Sequence, residues 1–215
     1  MRKRLLSLLS LLLVPMVAAA ETVGVTAGGE AICRYDAPNG QAIYYLAGYE
    51  GMEERAQLVD VNFDGVEDVV LLTAQGASNV RHEFYVWDGA QYVLARRYAA
   101  EDGLYNYQLL PEQGLVVSDV NNGMAGALRE THVFRWEGTR LSLVRSAVSD
   151  YASTTVWEGN HGVTTVDYGV IRFTVRDGAG EQAVLWEREI AADQLSQGAS
   201  TVLSEWDSAL WEGLR

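Results

Sequence analysis

Oxygen-bearing side chains recur at alternate positions in the segment from Asp60 to Asp68, Asp-Val-Asn-Phe-Asp-Gly-Val-Glu-Asp. They occupy its first, third, fifth and ninth positions, and Gly65 takes the sixth. This spacing is typical of a loop around Ca²⁺, which takes roughly six to eight oxygen ligands and needs glycine at the sixth position for a sharp turn. We therefore predict a bound calcium ion. The expected ligands are the side chains of Asp60, Asn62, Asp64 and Asp68 and the backbone carbonyl of Val66.

The loop is not an EF-hand, because its twelfth position is Leu71 instead of a glutamate and both flanks are typical of strands. Glu67 is expected to face solvent. Without the ion, three like charges would crowd one turn, so metal binding and local folding should be coupled. The alternative is an acidic turn whose Asn and Asp side chains bond only to their own backbone.

The sequence contains little that could catalyse a reaction. Its three histidines, His82, His132 and His161, form no His-Glu-x-x-His pair, and there is neither a Gly-x-Ser-x-Gly motif nor a phosphate-binding loop. The single cysteine, Cys33, is expected to be a buried apolar residue. We predict that the protein is not an enzyme.

The N-terminal segment predicts export. Arg2, Lys3 and Arg4 precede an apolar run that ends in small residues at Ala20, as in a secretory signal peptide spanning residues 1–20. Cleavage would leave 195 residues with 13 basic and 29 acidic side chains, a net charge of −16. We expect a periplasmic or secreted protein that binds no nucleic acid and does not insert into membranes.

Residues 21–215 are predicted to form a single β-rich domain. Glycines separate short runs of β-branched and aromatic residues, and tight turns at Asp88-Gly89 and Glu137-Gly138 predict hairpins. Trp87 and Trp136 stand at matching places in these hairpins, a weak repeat. We therefore expect an all-β fold, an antiparallel two-layer sandwich, with a partial β-propeller as the alternative.

A short helix is expected over residues 200–214, where apolar residues recur at spacings of three and four after a possible cap, Ser200. Its tryptophans, Trp206 and Trp211, either close the core or form an exposed binding surface.

Two resemblances follow from these motifs. The acidic loop resembles the FG-GAP or VCBS-type calcium motif. The stretch from Leu58 to Leu143, with its Asp-Val-Asn-Phe-Asp-Gly loop, small-residue loop (Gly76 to Asn79) and two aromatic hairpins, is similar to a group of small periplasmic proteins of Gram-negative bacteria. One member of that group is an immunity protein against a lysozyme-like secretion effector, and its fold resembles that of lysozyme inhibitors.

The resemblance implies that the protein binds a partner, plausibly a basic lysozyme-like enzyme that the acidic chain would attract. The loop after the apolar strand would enter the cleft of that enzyme. Here it departs from the group, which usually has Gly-Ala-Gly-Asn followed by tyrosines. The partner-binding residues expected on this basis are Ser78, Asn79, Arg81 and His82. The alternative is a carbohydrate-binding module that stacks sugars on Tyr105, Tyr107, Trp157 or Trp87.

Overall fold

The computed structural model describes residues 21–48, 56–97, 103–123, 127–158, 161–178 and 183–214. The predicted signal peptide lies outside these residues. Strands dominate the described part of the chain. In chain order they are β1 (Glu21–Val25), β2 (Ala31–Asp36), β3 (Ala42–Ala47), β4 (Ala56–Val59), β5 (Asp68–Gln75), β6 (Val80–Trp87), β7 (Tyr92–Leu94), β8 (Arg96–Arg97), β9 (Leu104–Tyr105), β10 (Gln108–Leu110), β11 (Leu115–Gly123), β12 (Leu128–Glu137), β13 (Arg140–Glu158), β14 (His161–Asp177) and β15 (Ala183–Ala191).

The strands form three sheets. The N-terminal sheet has the order β1-β2-β3, and the middle sheet has the order β4-β5-β6-β7 with β9 beside β6. The large sheet runs β10-β11-β12-β13-β14-β15, and β8 joins its β13. All of these pairings are antiparallel except that of β8 with β13.

One helix, α1 (Leu195–Trp211), follows the last strand of the described chain. It begins five residues before the predicted start, so Ser200 lies inside the helix and does not cap it. Within the described residues, no helix combines the length and the apolar character needed to cross a membrane.

The layers stack through three apolar cores. The first joins the N-terminal sheet to one face of the middle sheet, through residues such as Tyr45 and Leu71. The second joins the opposite face of the middle sheet to the large sheet, through residues such as Phe84 and Phe134. The third lies between the large sheet and α1, around Phe173 and Trp206.

The middle sheet is thus covered on both faces, which explains the composition of β5. Val69 and Leu71 contribute to the first core, and Val70 between them contributes to the second. A strand that is buried on both sides has no solvent-facing positions, so it carries a continuous apolar run instead of an alternating one.

The predicted all-β class, the antiparallel sheets and the C-terminal helix are confirmed. The hairpins at Asp88-Gly89 and Glu137-Gly138 also form, joining β6 to β7 and β12 to β13. They belong to different sheets. The structure adds a third sheet to the expected two layers. The pattern of apolar runs predicts separate strands at about 140–145 and 151–157, and at about 163–167 and 169–176, but β13 and β14 are each one long strand.

Candidate functional site

The acidic loop connects β4 to β5 at one end of the middle sheet. Its first residue, Asp60, accepts hydrogen bonds on both carboxylate oxygens from the loop backbone, from the amide of Asp64 at 3.1 Å and from that of Gly65 at 2.9 Å. Gly65 has φ of 88°, a left-handed conformation that glycine adopts without the steric cost paid by other residues. The glycine predicted to make the sharp turn therefore makes it.

Two further predicted ligands lie together in this turn. The Asn62 amide nitrogen donates to a carboxylate oxygen of Asp64 at 2.7 Å, and the Asn62 carbonyl oxygen accepts from the Asp64 backbone at 3.1 Å. The other Asp64 oxygen accepts from the backbone amide of Val66 at 2.8 Å. Glu67 is exposed, as predicted. Asp60, Asn62 and Asp64 thus gather their oxygens within one turn of the backbone.

Asp68 has a different role from the other aspartates. It is fully buried (0% exposed), and its two oxygens accept from the backbone amides of Val61 at 3.1 Å and Trp87 at 2.8 Å. Because Trp87 ends β6, this carboxylate ties the start of the loop to the far end of a neighbouring strand. Burial raises the pKa of Asp68 and outweighs the backbone bonds that lower it; nearby Asp64 and Asp60 raise it further.

Apolar residues anchor the loop from beneath. Val61 is fully buried in the second core, and Phe63 packs against the same core although its φ of 65° is unusual for an aromatic residue. Sequence reasoning about metal ligands passed over both. The sequence pattern that could have predicted their burial is the alternation of polar and apolar residues from Asp60 to Asp64. The polar side chains lie on the outer side of the loop and the apolar side chains on the inner side.

The loop fits a cation in part. Among the described residues, no three carboxylate, histidine or cysteine side chains form a cluster that could enclose a metal ion. The oxygens of Asp60, Asn62 and Asp64 and the carbonyl of Val66 are the available donors. Asp68 is committed to two backbone amides, yet a carboxylate has about four lone-pair sites and retains capacity toward a cation.

The predicted partner-binding residues lie mostly within contacts of the chain itself. Ser78 is exposed at the tip of the turn between β5 and β6. Asn79, by contrast, makes two hydrogen bonds with the backbone of Asn121. The Asn79 side chain donates to the carbonyl of Asn121 at 2.9 Å and accepts from the amide of Asn121 at 2.8 Å. Arg81 lies 3.4 Å from Glu83 and the same distance from the hydroxyl of Thr73. Their role in partner binding stays a prediction.

Asn106 holds this turn against the large sheet, and sequence reasoning passed over it. Its side-chain oxygen accepts from the amide of Val80, and its side-chain nitrogen lies within 3.1 Å of the carbonyls of Ser78 and Asp119. Its φ of 42° is left-handed, a conformation that asparagine tolerates better than most residues. An asparagine between two tyrosines, Tyr105 and Tyr107, was the feature of the sequence that could have predicted this turn.

His82 packs inward against Tyr107, with ring centroids 4.9 Å apart in an edge-to-face arrangement. Burial lowers the pKa of His82, because the charged imidazolium loses its hydration there. The residue is therefore held neutral in the folded protein.

This burial predicts a pH-dependent stability. Since the folded pKa of His82 lies below its unfolded value of about 6.5, the unfolded chain binds more protons, and stability falls as pH drops from 7 through that value. Melting temperatures measured between pH 7 and 5.5 should therefore decrease. The variant His82→Gln should flatten this dependence. The control Asn39→Gln, in the exposed turn between β2 and β3, changes no titratable group and should leave it unchanged; equal slopes for both variants would contradict the assignment.

A cleft of about 420 Å³ lies between the edge of the large sheet and α1. On its floor, Asp119 accepts from the Thr131 hydroxyl at 2.6 Å and lies 3.3 Å from the Arg129 guanidinium, which stacks 5.0 Å from the Trp206 ring. Leu110, Val117 and Leu210 form the apolar part of the lining, and amides, one further carboxylate and an indole form the rest. The amides, the carboxylate and the indole belong to Asn106, Gln108, Gln113, Asp207 and Trp211.

The aromatic residues proposed for sugar stacking lie elsewhere. Tyr107 contacts both His82 and Phe84, and Trp87 packs edge-on against Tyr92 at 5.1 Å. Tyr105 pairs with β6 and its amide donates to Ser118. The side chain of Trp157 lies outside the described part of the structure. The two tryptophans of the helix have different surroundings. Trp206 closes the third core, whereas Trp211 lines the cleft.

Comparison with known proteins gives no relative. No protein-family model, curated protein or solved structure matches the chain.

Proposed function

We propose that the protein is a non-enzymatic binding protein of the Gram-negative periplasm, stabilised by calcium at the loop of residues 60–68. It would be exported by the signal peptide at residues 1–20. Its partner would be another protein, a lysozyme-like peptidoglycan hydrolase that it inhibits. The partner assignment rests on the resemblance of residues 58–143 and on the acidic charge of the chain, which favours encounter with a basic enzyme.

The observation that carries this proposal is the shape of the acidic loop. Asp60 already bonds the backbone of Gly65, and the side chains of Asn62 and Asp64 lie beside it. Hydrogen bonds within the turn bring the oxygens of Asp60, Asn62 and Asp64 close together, and bound Ca²⁺ would neutralise the charge that they concentrate. Because Asp68 fixes the base of the loop to β6, the ion would stabilise one end of the middle sheet.

The turn between β5 and β6 is held rigidly, which suits it to contact a partner protein. Ser78 is exposed, while Asn79 donates to Asn121 in β11 of the large sheet. Asn106, between β9 and β10, donates to Asn79 and accepts from the amide of Val80. A turn that is already ordered loses little conformational entropy when it binds. We therefore place the contact with the enzyme at the exposed tip of this turn.

A panel of basic lysozymes tests this function. The mature chain with calcium should bind one of them and reduce its hydrolysis of peptidoglycan, and Ser78→Trp should weaken that inhibition by at least about ten-fold by obstructing the contact. The control Asn39→Trp changes the exposed turn between β2 and β3 and should retain inhibition. Failure to bind any lysozyme in calcium would rule out the hydrolase partner.

The cleft favours a second candidate, a carbohydrate-binding protein. Saccharide hydroxyls need donors and acceptors close together, and the cleft offers both in Gln108, Gln113 and the paired Asp119 and Arg129. Trp211 adds an apolar face against which a sugar ring can pack. Retention of the protein on peptidoglycan or a glycan matrix, lost in Trp211→Ala but not in Trp87→Ala, would favour this reading over the first.

A further inference from the structure

The longest hairpin of the protein extends beyond the sheet that contains it. β12 pairs with β13 as far as Ser149, and β15 pairs with β14 as far as Val170. Past these points β13 and β14 pair only with each other, from Ala152 opposite Asp167 to Glu158 opposite His161. Residues 152–158 and 161–167 are here called the arm. With seven residue pairs it is roughly 20 Å long.

Both outer edges of the arm lack a strand partner in the part of the chain that the structure describes. An unpaired edge exposes backbone amides and carbonyls that can accept another strand. A two-stranded ribbon is at best marginally stable in water, because it has no third strand or packed face to support it. The arm is therefore an incomplete sheet.

The described side chains of the arm are mostly β-branched, and all except Ala152 are exposed to solvent. Val156 and Val163 stand opposite each other and are 58% and 63% exposed. Thr155 and Thr164 share a hydroxyl hydrogen bond of 2.8 Å on the other face. The arm carries charge only at Asp167 and at its tip, in a protein with a net charge of −13.

We propose that the arm binds the arm of a second copy of this chain, by antiparallel pairing of the two β14 edges across a twofold axis at Thr164. Such pairing is isologous, so one contact completes both edges at once. It would give a four-stranded ribbon in the order β13-β14-β14-β13. The inference does not depend on the calcium loop or on the proposed function.

The side chains at the two ends of the arm make the β14 edge complementary to the same edge of a second copy. Two strongly acidic chains repel each other, so their contact is best placed on a segment with few charges. On the β14 edge, pairing centred on Thr164 brings His161 of each copy, whose imidazole carries an N–H donor, opposite the Asp167 carboxylate of the other. The same pairing of β13 edges, centred on Thr154, would oppose Asp150 and Glu158, two acids. A hydrogen bond from His161 to Asp167 would support the first pairing, whereas like charges directly opposite each other destabilise the second.

The test uses the mature chain, residues 21–215, in sedimentation equilibrium. The unmodified chain should be a dimer at micromolar concentrations. Thr164→Glu places two carboxylates face to face on the axis and should weaken self-association by about ten-fold or more. The matched control Thr154→Glu puts the same side chain on the other face and the other strand of the same arm, and should remain dimeric.

A cross-link locates the contact independently. Thr164→Cys should form a disulfide-linked dimer on mild oxidation, because the two residues would be directly opposite each other. Thr154→Cys should not, and the native Cys33 is buried and leaves the assay unaffected. A monomeric unmodified chain would overturn the proposal. So would a dimer that Thr164→Glu leaves intact, or one that both glutamate variants dissociate equally.

Discussion

Replacement of Asp68 by alanine is expected to lower the free energy of unfolding by roughly 3 kcal/mol or more, with or without calcium. The carboxylate accepts from the buried ends of two segments, the amides of Val61 and Trp87. Alanine would remove the acceptor of both donors, the fully buried amide of Val61 and the partly buried amide of Trp87, at about 1–3 kcal/mol each. Urea denaturation in excess chelator measures this loss without any contribution from metal.

The control for this experiment is Asp64→Ala, in the same loop. Asp64 is exposed and bonds only to groups within the turn, so its loss in chelator should be small. In about 10 mM calcium the free energy of unfolding of the unmodified protein should rise by roughly 1.5–2.5 kcal/mol, if the loop binds calcium with the affinity of extracellular calcium modules. Asp64→Ala should lose this gain.

The two substitutions therefore separate two roles within one motif. If calcium stabilises Asp64→Ala as much as the unmodified protein, the loop holds no calcium through Asp64 and the metal proposal fails. If Asp68→Ala is tolerated in chelator, the bonds to Val61 and Trp87 do not support the sheet.

Replacement of Trp206 by alanine is expected to cost about 3–5 kcal/mol, the range for large aromatic residues in a packed core. Trp206 is 3% exposed, packs edge-on against Phe173 at 5.6 Å and donates to the carbonyl of Thr174 at 3.4 Å. Arg129 stacks on its other side. The side chain thus joins α1 to the large sheet, and its removal should loosen the helix as well as open a cavity.

Trp211→Ala is the matched comparison, since Trp211 lies on the same helix but only half-buried. It should cost roughly 1 kcal/mol, because less apolar surface is lost from the folded state. Equal losses for the two variants, read from urea denaturation, would show that Trp206 is not the main attachment of the helix. Trp211 also lines the cleft, so the same variant shows whether the lining of the cleft contributes to stability.

Several local features could be predicted because they depend on neighbouring residues. The turn at Asp88-Gly89 forms as expected, with the Asp88 carboxylate accepting from the amides of Ala90 and Gln91 at 2.9 Å. The apolar spacing near the C-terminus correctly predicted that a helix forms, but it did not predict the residue at which the helix begins. The first residues from Leu195 to Ser200 have no strong apolar periodicity, so their helical state depends on the whole chain.

The long hairpin shows where local reasoning fails. The sequence pattern gives separate strands at about 140–145 and 151–157, but β13 continues through residues 146–150 because β14 pairs with it from Arg145 onward. The register shifts between Tyr151 and Ala152, where β14 contains three extra residues, 168–170. Pairing with a distant segment outweighs local preference, since each added residue gains ladder bonds that its own neighbours cannot supply.

The sequence by itself determined the class of the fold, the hairpin turns and the backbone of the acidic loop, because each follows from side chains within a few residues of one another. Only the tertiary structure decided that Asp68 binds the end of β6, that Asn79 and His82 face inward, and that the middle sheet is covered on both sides. The physical reason is that burial and hydrogen-bond partners come from segments far apart in the chain, and no local pattern records which segments meet.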